Sequence, residues 1–270
     1  MPTINTNVNA LFAQNALKVN DRNMTKAMQQ LSTGSKVNSS ADDAAGLSTA
    51  TSMTAQIKGM NQAIRNANDA MSMLQTAEGA MTEQTNMLQR MRELAVQATT
   101  ATYNSTQLGY LDTEFQALDT QINNIASNTK WNGSTVLASA TTQSFVVGAA
   151  GTETVTVNLA ATDTTTLATT SLAVSSAASA AASVTAIDTA LASISSARAK
   201  IGAGINQLTY AADNLTNTSA NMQASRSQIM DTDYATATSN LARAQIIQQA
   251  ATAMLAQANQ GPASVLALLK

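Results

Sequence analysis

The stretch ATSMTAQIKGMNQAIRNANDAMSMLQ, residues 50–75, decides the fold class of this chain. Its apolar residues recur at alternating intervals of three and four positions, which draws one apolar stripe along a helix in the manner of a coiled-coil seam. The members of this stripe are Ala50, Met53, Ile57, Met60, Ile64, Ala67, Met71 and Leu74. After a slip at Ala77 the stripe continues to Ala95, with Gln84 as a polar interruption.

The start of this helix is marked by serines and acids just before the stripe. Ser39 and Ser40 precede Asp42 and Asp43. Serine is a good cap, and negative charge is favoured in a first helical turn. We therefore predict a single helix over residues 41–100.

The C-terminal half repeats the same spacing. Its apolar residues fall on one three-four ladder: Val184, Ile187, Leu191, Ile194, Ile201, Ile205, Leu208, Ala212, Leu215, Met222 and Ile229. Two such stripes must each be buried, and they can cover one another together with a further helix predicted over 105–129. The sequence thus predicts a mainly α fold. Its N- and C-terminal segments form a long antiparallel helical bundle or coiled coil, with a small β-hairpin region in the middle.

The middle of the chain is predicted to leave the bundle. A turn is expected at 131–133, where Asn-Gly follows Trp. Two alternating runs at 143–147 and 153–159, joined around GAAG, predict a hairpin within 131–160. Residues 160–186 are mostly Ala, Ser and Thr. That composition predicts a low-complexity link with little apolar bulk for a core.

Composition argues against several classes of function. Charged residues make up 11% of the chain, and neither His nor Cys occurs. Without them most zinc sites and all His-dependent acid–base mechanisms are excluded, so we expect no metal, no cofactor and no enzyme activity. A net charge of −2 without a basic block argues against nucleic acid. The sequence contains no run of about 20 apolar residues, so we predict no membrane span.

The acidic pairs Asp42/Asp43 and Asp231/Asp233 lie near predicted helix starts and are interpreted as caps rather than as catalytic carboxylates. The N-terminus also lacks an apolar signal-peptide core behind a basic start. We therefore expect a chain that stays inside the cell or leaves it by a route without a cleaved signal.

The two terminal segments, 1–40 and 232–270, have narrow apolar stripes opposite Asn, Gln, Ser and Thr. Such stripes could be ordinary core, but the scarcity of charge on their other faces favours contacts between copies of the chain. An isolated helix of this kind is marginal in water, so both segments are expected to be ordered only in a polymer. The candidate self-assembly residues are Ile4, Val8, Leu11, Leu255, Val265, Leu266, Leu268 and Leu269.

Four stretches carry a family resemblance. They read LSTGSKVNSSADDAAGLS (31–48), IKGMNQAIRNANDAMSMLQTAEGAM (57–81), LQRMRELAVQ (88–97) and SQIMDTDYATATSNLARAQIIQQAATAMLAQANQGPASVLALLK (227–270). They resemble the conserved ends of bacterial flagellins, in the same order. Where many flagellins insert outer domains, this chain has only its low-complexity link. It therefore resembles a short form in which the outer variable domains are largely absent.

The resemblance implies a structural subunit that self-assembles into the bacterial flagellar filament for motility. Segments 1–40 and 232–270 would form the inner core, and 41–231 the surrounding layer. The subunit would be exported unfolded by the flagellar secretion apparatus, with an export chaperone and a cap protein as partners, and would end in the extracellular filament. A hook–filament junction protein and a cytoplasmic coiled-coil scaffold are the alternatives.

The segment around Gln89–Gln97 carries a second implied contact. Two apolar residues flank the packing stripe there beside Arg90, which could simply reflect a widened stripe in a three-helix bundle. In flagellins that activate innate immunity, the matching segment contacts the Toll-like flagellin receptor. By this resemblance Gln89, Arg90, Leu94 and Glu114 are possible receptor contacts.

Overall fold

The computed structural model describes residues 6–267, and their side chains from 6 to 260. Its helices are α1 (Val8–Thr33), α2 (Ala44–Ala98), α3 (Ser105–Asn128), α4 (Ala177–Met230) and α5 (Tyr234–Ala267). Its strands are β1 (Lys130–Trp131), β2 (Ser134–Thr135), β3 (Thr141–Val146) and β4 (Thr154–Leu159). The predicted mainly α fold with a β-hairpin in the middle is confirmed.

The chain divides into two compact units. The first comprises Met1–Ala55 and Asn221–Lys270, and the second comprises Gln56–Ala220. The boundaries fall inside α2 and α4. The layers predicted from the family resemblance concern an assembly of many copies, and they stay a prediction.

The second unit holds the large hydrophobic core. Its fully buried side chains come from α2, α3, α4 and the hairpin region: Leu74, Met81, Leu88, Met91, Leu94, Phe115, Ile122, Leu137, Leu159, Ile187, Ile194 and Ile201. The stripes predicted on α2 and α4 supply most of these residues, so the two seams do bury against the same core.

Polar contacts at the rim of this core show the relative directions of α2 and α4. Arg92 on α2 pairs with Asp188 on α4 at 2.6 Å. Further back along α2, the Met71 sulfur accepts a hydrogen bond from the Thr209 hydroxyl at 3.3 Å. As residue numbers fall along α2 they rise along α4, so these segments are antiparallel, as predicted.

By length and composition alone α4 could cross a membrane, with a mean hydropathy of 1.3 over its most apolar stretch. Its isoleucines at 187, 194 and 201 are instead buried in the core of the second unit. The hydropathy of α4 therefore reflects an Ala-rich core helix with few charges.

Two hairpins follow α3. Lys130–Trp131 pairs with Ser134–Thr135 through Asn132 and Gly133, whose φ angles of 48° and 84° fit a two-residue turn of type I′. Next, β3 and β4 pair antiparallel, with Phe145 opposite Val155. Both features confirm the turn and hairpin predicted from the sequence.

The second hairpin sits against helices at two glycines. A Cβ on Gly59 of α2 would lie 2.5 Å from the Ala149 carbonyl oxygen in the hairpin loop. A Cβ on Gly204 of α4 would lie 2.6 Å from a methyl group of Val157 on β4. The absence of a side chain at these positions lets the hairpin approach closely.

The segment after the hairpin corrects the sequence interpretation. Residues 160–186 were expected to form a link with little core, but α4 already begins at Ala177. We call the part before it, residues 160–176, the strap. In the structure Leu167 and Val174 are buried in the main cluster, and Thr162, Thr164 and Thr169 are also buried. The expectation failed because small Thr and Ala side chains pack well when neighbouring helices supply the hydrogen bonds.

Side chains of α3 and α2 supply those hydrogen bonds. The Asp112 carboxylate accepts from the Val174 backbone N–H at 2.7 Å, and Gln116 donates to the Leu172 carbonyl at 2.7 Å. The Gln84 amide, predicted as a mere interruption, donates to the carbonyls of both Ile122 and Thr162 at 3.2 Å. The helices therefore hold the strap by polar contacts that its own sequence does not reveal.

The caps of the long helices also differ in part from prediction. α2 begins at Ala44, and the Asp43 carboxylate accepts from the Gly46 N–H at 2.9 Å, so Asp43 caps this helix rather than Ser39 or Ser40. Asp233 caps α5 by accepting from the Ala235 and Thr236 N–H groups, as expected. Asp231 instead follows the end of α4 and accepts from the Ser227 hydroxyl at 2.5 Å.

Candidate functional site

The terminal helix pair, α1 with α5, is the candidate functional site. Small residues and asparagine lie between its helices. Ala10, Ala27 and Ala244 are buried, and the Asn20 side chain donates to the Ala244 carbonyl at 2.7 Å. Near the other end Asn7 donates to the Ala258 carbonyl at 2.8 Å. The two helices are therefore antiparallel and packed through their smallest side chains.

This packing adds a contact that the sequence argument did not consider. Within the described residues each terminal segment serves as the partner of the other, while their order in the free monomer stays a prediction. A helix that is marginal alone gains stability when a second helix covers its apolar stripe. The sequence argument treated each segment as isolated, which is why it missed the pairing.

Because α1 and α5 pack through alanine, their bulky apolar side chains are exposed to solvent. Phe12 is 70% exposed and Met254 is 67% exposed. The other large exposed apolar residues of the pair are Val8, Leu11, Val19, Met28, Tyr234, Ile246 and Ile247. Elsewhere in the described chain, the large exposed apolar residues are Val96, Tyr110 and Tyr210. Exposed apolar side chains thus concentrate on the terminal helix pair, which is typical of an interaction surface.

The connections α1–α2 and α4–α5 are bound to each other. Gly34 ends α1 in the left-handed conformation, at φ 70°. Its carbonyl accepts from the Thr232 N–H at 2.9 Å, and the Lys36 N–H donates to the Met230 carbonyl at 2.6 Å. These two backbone bonds close a short antiparallel bridge, so both connections are fixed together at the base of the pair.

An ion pair also fixes the first connection. The Lys26 ammonium lies 2.8 Å from the Asp42 carboxylate. The hydrogen bond from Lys26, with those from the Asn38 and Ser39 N–H groups, lowers the pKa of Asp42 to about 2. The carboxylate therefore stays ionised and holds the connection against α1 across the physiological range.

The structure describes only some of the predicted self-assembly residues. Val8 and Leu11 are exposed on α1, and Leu255 is half-buried on α5. Ile4, Leu268 and Leu269 lie outside the described residues, as do the side chains of Val265 and Leu266. The prediction also missed Phe12 and Ile246. Each is a bulky apolar residue next to the apolar stripe of its helix. Its size alone could have marked it as a candidate.

Only part of the predicted receptor-contact surface is formed in the structure. The Arg90 guanidinium donates to Glu114 at 2.9 and 3.0 Å and to Glu93 at 3.1 Å. The hydrogen bond to Glu114, then that to Glu93, raises the pKa of Arg90. Gln89 is exposed beside them, but Leu94 is only 1% exposed and belongs to the core. Leu94 therefore supports this surface from below and is not accessible for direct contact.

Within the described residues, no group of three His, Cys, Asp or Glu side chains is placed to hold a metal ion. The described geometry of the chain is thus one of exposed apolar helices and a surface ion-pair cluster.

Two family models match the chain. The N-terminal helical region of bacterial flagellin matches residues 4–142, and the C-terminal helical region matches residues 184–269. The chain belongs to the bacterial flagellin family. The stretch between the two matches, 143–183, contains most of the second hairpin and the strap.

Similar proteins support the same family over the full length. A flagellin of Halalkalibacterium halodurans is 40% identical over 270 residues, covering 99% of each chain. The flagellin of Bacillus subtilis is 36% identical, again covering 99% of each. This coverage favours a flagellin over the junction-protein and scaffold alternatives.

Solved structures show a similar fold. The crystal structure of Bacillus cereus flagellin is 32% identical, with a TM-score of 0.51 over 60% of this chain and 94% of that one. A putative flagellar hook-associated protein of Vibrio parahaemolyticus has a TM-score of 0.59 over 70% of this chain and all of its own. At 13% identity the second likeness shows the fold alone.

Proposed function

We propose that this chain is the structural subunit of a bacterial flagellar filament, assembled from many copies through the terminal helix pair and located outside the cell. The observation that carries the proposal is the exposure of bulky apolar side chains on α1 and α5. Phe12 and Met254 are the most exposed of them. In water this surface is unfavourable, and burying each such side chain contributes ~1.5–3 kcal/mol.

Charge supports contacts between like copies. From Tyr234 to the end of α5 the only charged residue is Arg243. Few ions would therefore need to be desolvated when this helix is covered by a neighbouring subunit. A contact between two different faces of the same chain can repeat without closing, and such repetition builds a filament. In this role the chain acts mechanically and not as an enzyme.

Export is the second part of the proposal. The chain would pass unfolded through the flagellar secretion apparatus without a cleaved signal, helped by an export chaperone, and would be added under a cap protein. The absence of Cys suits this route, because no disulfide need be made or broken in transit. The exposed apolar residues of α1 and α5 would need a chaperone to keep copies apart before export.

A host receptor is the third proposed partner. The cluster of Arg90, Glu93 and Glu114 is exposed, with Gln89 beside it. Arginine is frequent at binding hot spots, and its planar group can hold a partner's carboxylate or backbone oxygens. We propose that this cluster, supported by Leu94 beneath it, contacts the Toll-like flagellin receptor.

Phe12→Ala tests the assembly surface. The variant should fold like the wild type, because the ring makes little contact within the chain, but it should fail to sediment as filaments after nucleation. Tyr110→Ala is the matched control, since Tyr110 is an aromatic residue of similar exposure on α3. The proposal is refuted if Phe12→Ala polymerises with wild-type yield and critical concentration.

A further inference from the structure

The methionines of this chain differ sharply in exposure. Met60, Met81 and Met91 are buried within the bundle. Among the methionines that the structure describes, Met28 and Met254 are more than half exposed, at 52% and 67%. An oxidant in solution would therefore reach these two thioethers first, because oxidation follows accessibility.

Met254 differs from Met28 in its surroundings. It lines an open groove of the terminal helix pair together with Asn9, Phe12, Ala13, Ala16, Ala251, Gln257 and Ala258. No charged side chain is among these groove residues. Met28 lies on α1 and does not border this groove. The more exposed thioether thus lies on the surface that the proposed function covers with a second subunit.

We infer that Met254 is a modification site at which oxidation to the sulfoxide blocks self-association of the chain. The inference rests on the proposed function. The oxidant is a peroxide from the surroundings. Its O–O bond breaks as one oxygen forms a bond to the thioether sulfur, the sulfur loses two electrons, and the peroxide is reduced to water.

The sulfoxide acts on the interface and not on the fold. It turns a flexible apolar side chain into a polar one. Met254 is 67% exposed in an open groove, so its oxidised side chain can stay in water while the contact of Ala244 with Asn20 is kept. When a second subunit covers the groove, the new oxygen must lose its bound water, and the amides of Asn9 and Gln257 would have to leave their own water to replace it, which is unfavourable. Monomer should therefore stay folded while assembly weakens.

A single wild-type sample can test this inference. Purified full-length monomer is partly oxidised with hydrogen peroxide, the peroxide is removed, and polymerisation is nucleated with short filament seeds. Peptide mass spectrometry then measures the sulfoxide at each methionine in the pellet and in the supernatant. Met254 sulfoxide should be depleted from the pellet roughly tenfold, the effect of about one uncompensated polar group. Met28 sulfoxide, which lies on the same helix pair but outside this groove, should be depleted from the pellet much less.

Matched variants supply the second measurement. Leucine preserves apolar volume but cannot form a sulfoxide. Met254→Leu should therefore keep polymerising after peroxide treatment, whereas Met28→Leu should lose assembly like the wild type. If Met254→Leu fails to assemble even without peroxide, the inference is decided by the first measurement alone, the amount of Met254 sulfoxide in the wild-type pellet and supernatant.

Two results would overturn the inference while leaving the proposed function intact. One is equal Met254 sulfoxide in pellet and supernatant. The other is a Met254 oxidised no faster than buried Met81. Failure of untreated wild-type monomer to polymerise on seeds would instead refute the proposed function, and the inference with it.

Discussion

Replacing Asp119 by asparagine should stabilise this protein at neutral pH. Asp119 is 9% exposed on α3, facing the strap, and its Oδ1 atom has no hydrogen-bond partner among the described residues. Burial raises the pKa of the Asp119 carboxyl, and a hydrogen bond from the Thr169 side chain offsets part of this shift. Asparagine has nearly the same shape, can still accept from Thr169 and carries no charge.

The size and pH dependence of the effect follow from this geometry. An ionised acceptor left buried without a partner costs about 1–3 kcal/mol. Asparagine removes the charge but places its own N–H donors at the same position, so Asp119→Asn should gain only part of that amount at pH 7. The folded-state pKa is raised, so the contribution of Asp119 to stability is fully present below its unfolded pKa. It is lost as pH rises through the folded-state pKa. The advantage of asparagine should therefore grow with pH and vanish in acid.

Urea unfolding followed by circular dichroism, at several values between pH 4 and pH 8, measures this difference. Asp112→Asn is the matched control, because it removes the same charge from the same helix at a site that is only partly buried. It also keeps the acceptor for the Val174 N–H. An equal gain from both variants, or a gain from Asp119→Asn that does not change with pH, would refute burial as the cause.

Three further outcomes are expected. Leu94→Ala should lower unfolding stability by ~2–5 kcal/mol in thermal or urea melts, because it leaves a cavity in the core; a loss under 1 kcal/mol would contradict its burial. Gly204→Ala should lower the stability of the fold. Overpacking against Val157 costs ~1–3 kcal/mol, which outweighs the ~1 kcal/mol gained in helix propensity. A higher melting temperature would show that Val157 moves aside easily. Asp42→Asn should remove a contribution that is present above pH 4 and is lost as pH falls through about 2, so unchanged acid unfolding curves would count against the ion pair.

The helical part of the fold could be predicted because its signal repeats. The stripes on α2 and α4 extend over many turns, and a polar interruption such as Gln84 does not hide the period. The turn at Asn132–Gly133 could be predicted for a different reason, since the backbone there needs positive φ at two successive residues.

The strap could not be predicted, because its order depends on other segments. Its Thr and Ala residues carry no period and little bulk. What holds it are acceptors and donors on α3 and α2, among them Asp112 and Gln116, whose partners are backbone atoms of the strap. Backbone atoms look the same at every position of a sequence, so such contacts leave no pattern to read.

The residues around Arg90 were named from the family resemblance, and their exposure could not be predicted. Arg90 and Leu94 are four positions apart on α2, and Arg90 pairs with Glu114. Spacing could not show that Leu94 turns into the core, because a three-helix bundle buries a wider stripe than a two-helix coil does. The same limit hid Phe12, which lies beside the counted stripe and is exposed.

The two units use the same kinds of residue in opposite ways, and this contrast accounts for the low charge of α5. In the second unit large side chains such as Leu88 and Ile194 point inward, and polar groups face outward. In the terminal helix pair Ala10 and Ala244 face inward, while Phe12 points outward. A close approach of helices through alanine stabilises the pair only modestly, because little apolar area is buried per residue. The large side chains are thereby left for contacts with other copies, where a charged neighbour would have to be desolvated, and on α5 the only charged residue is Arg243.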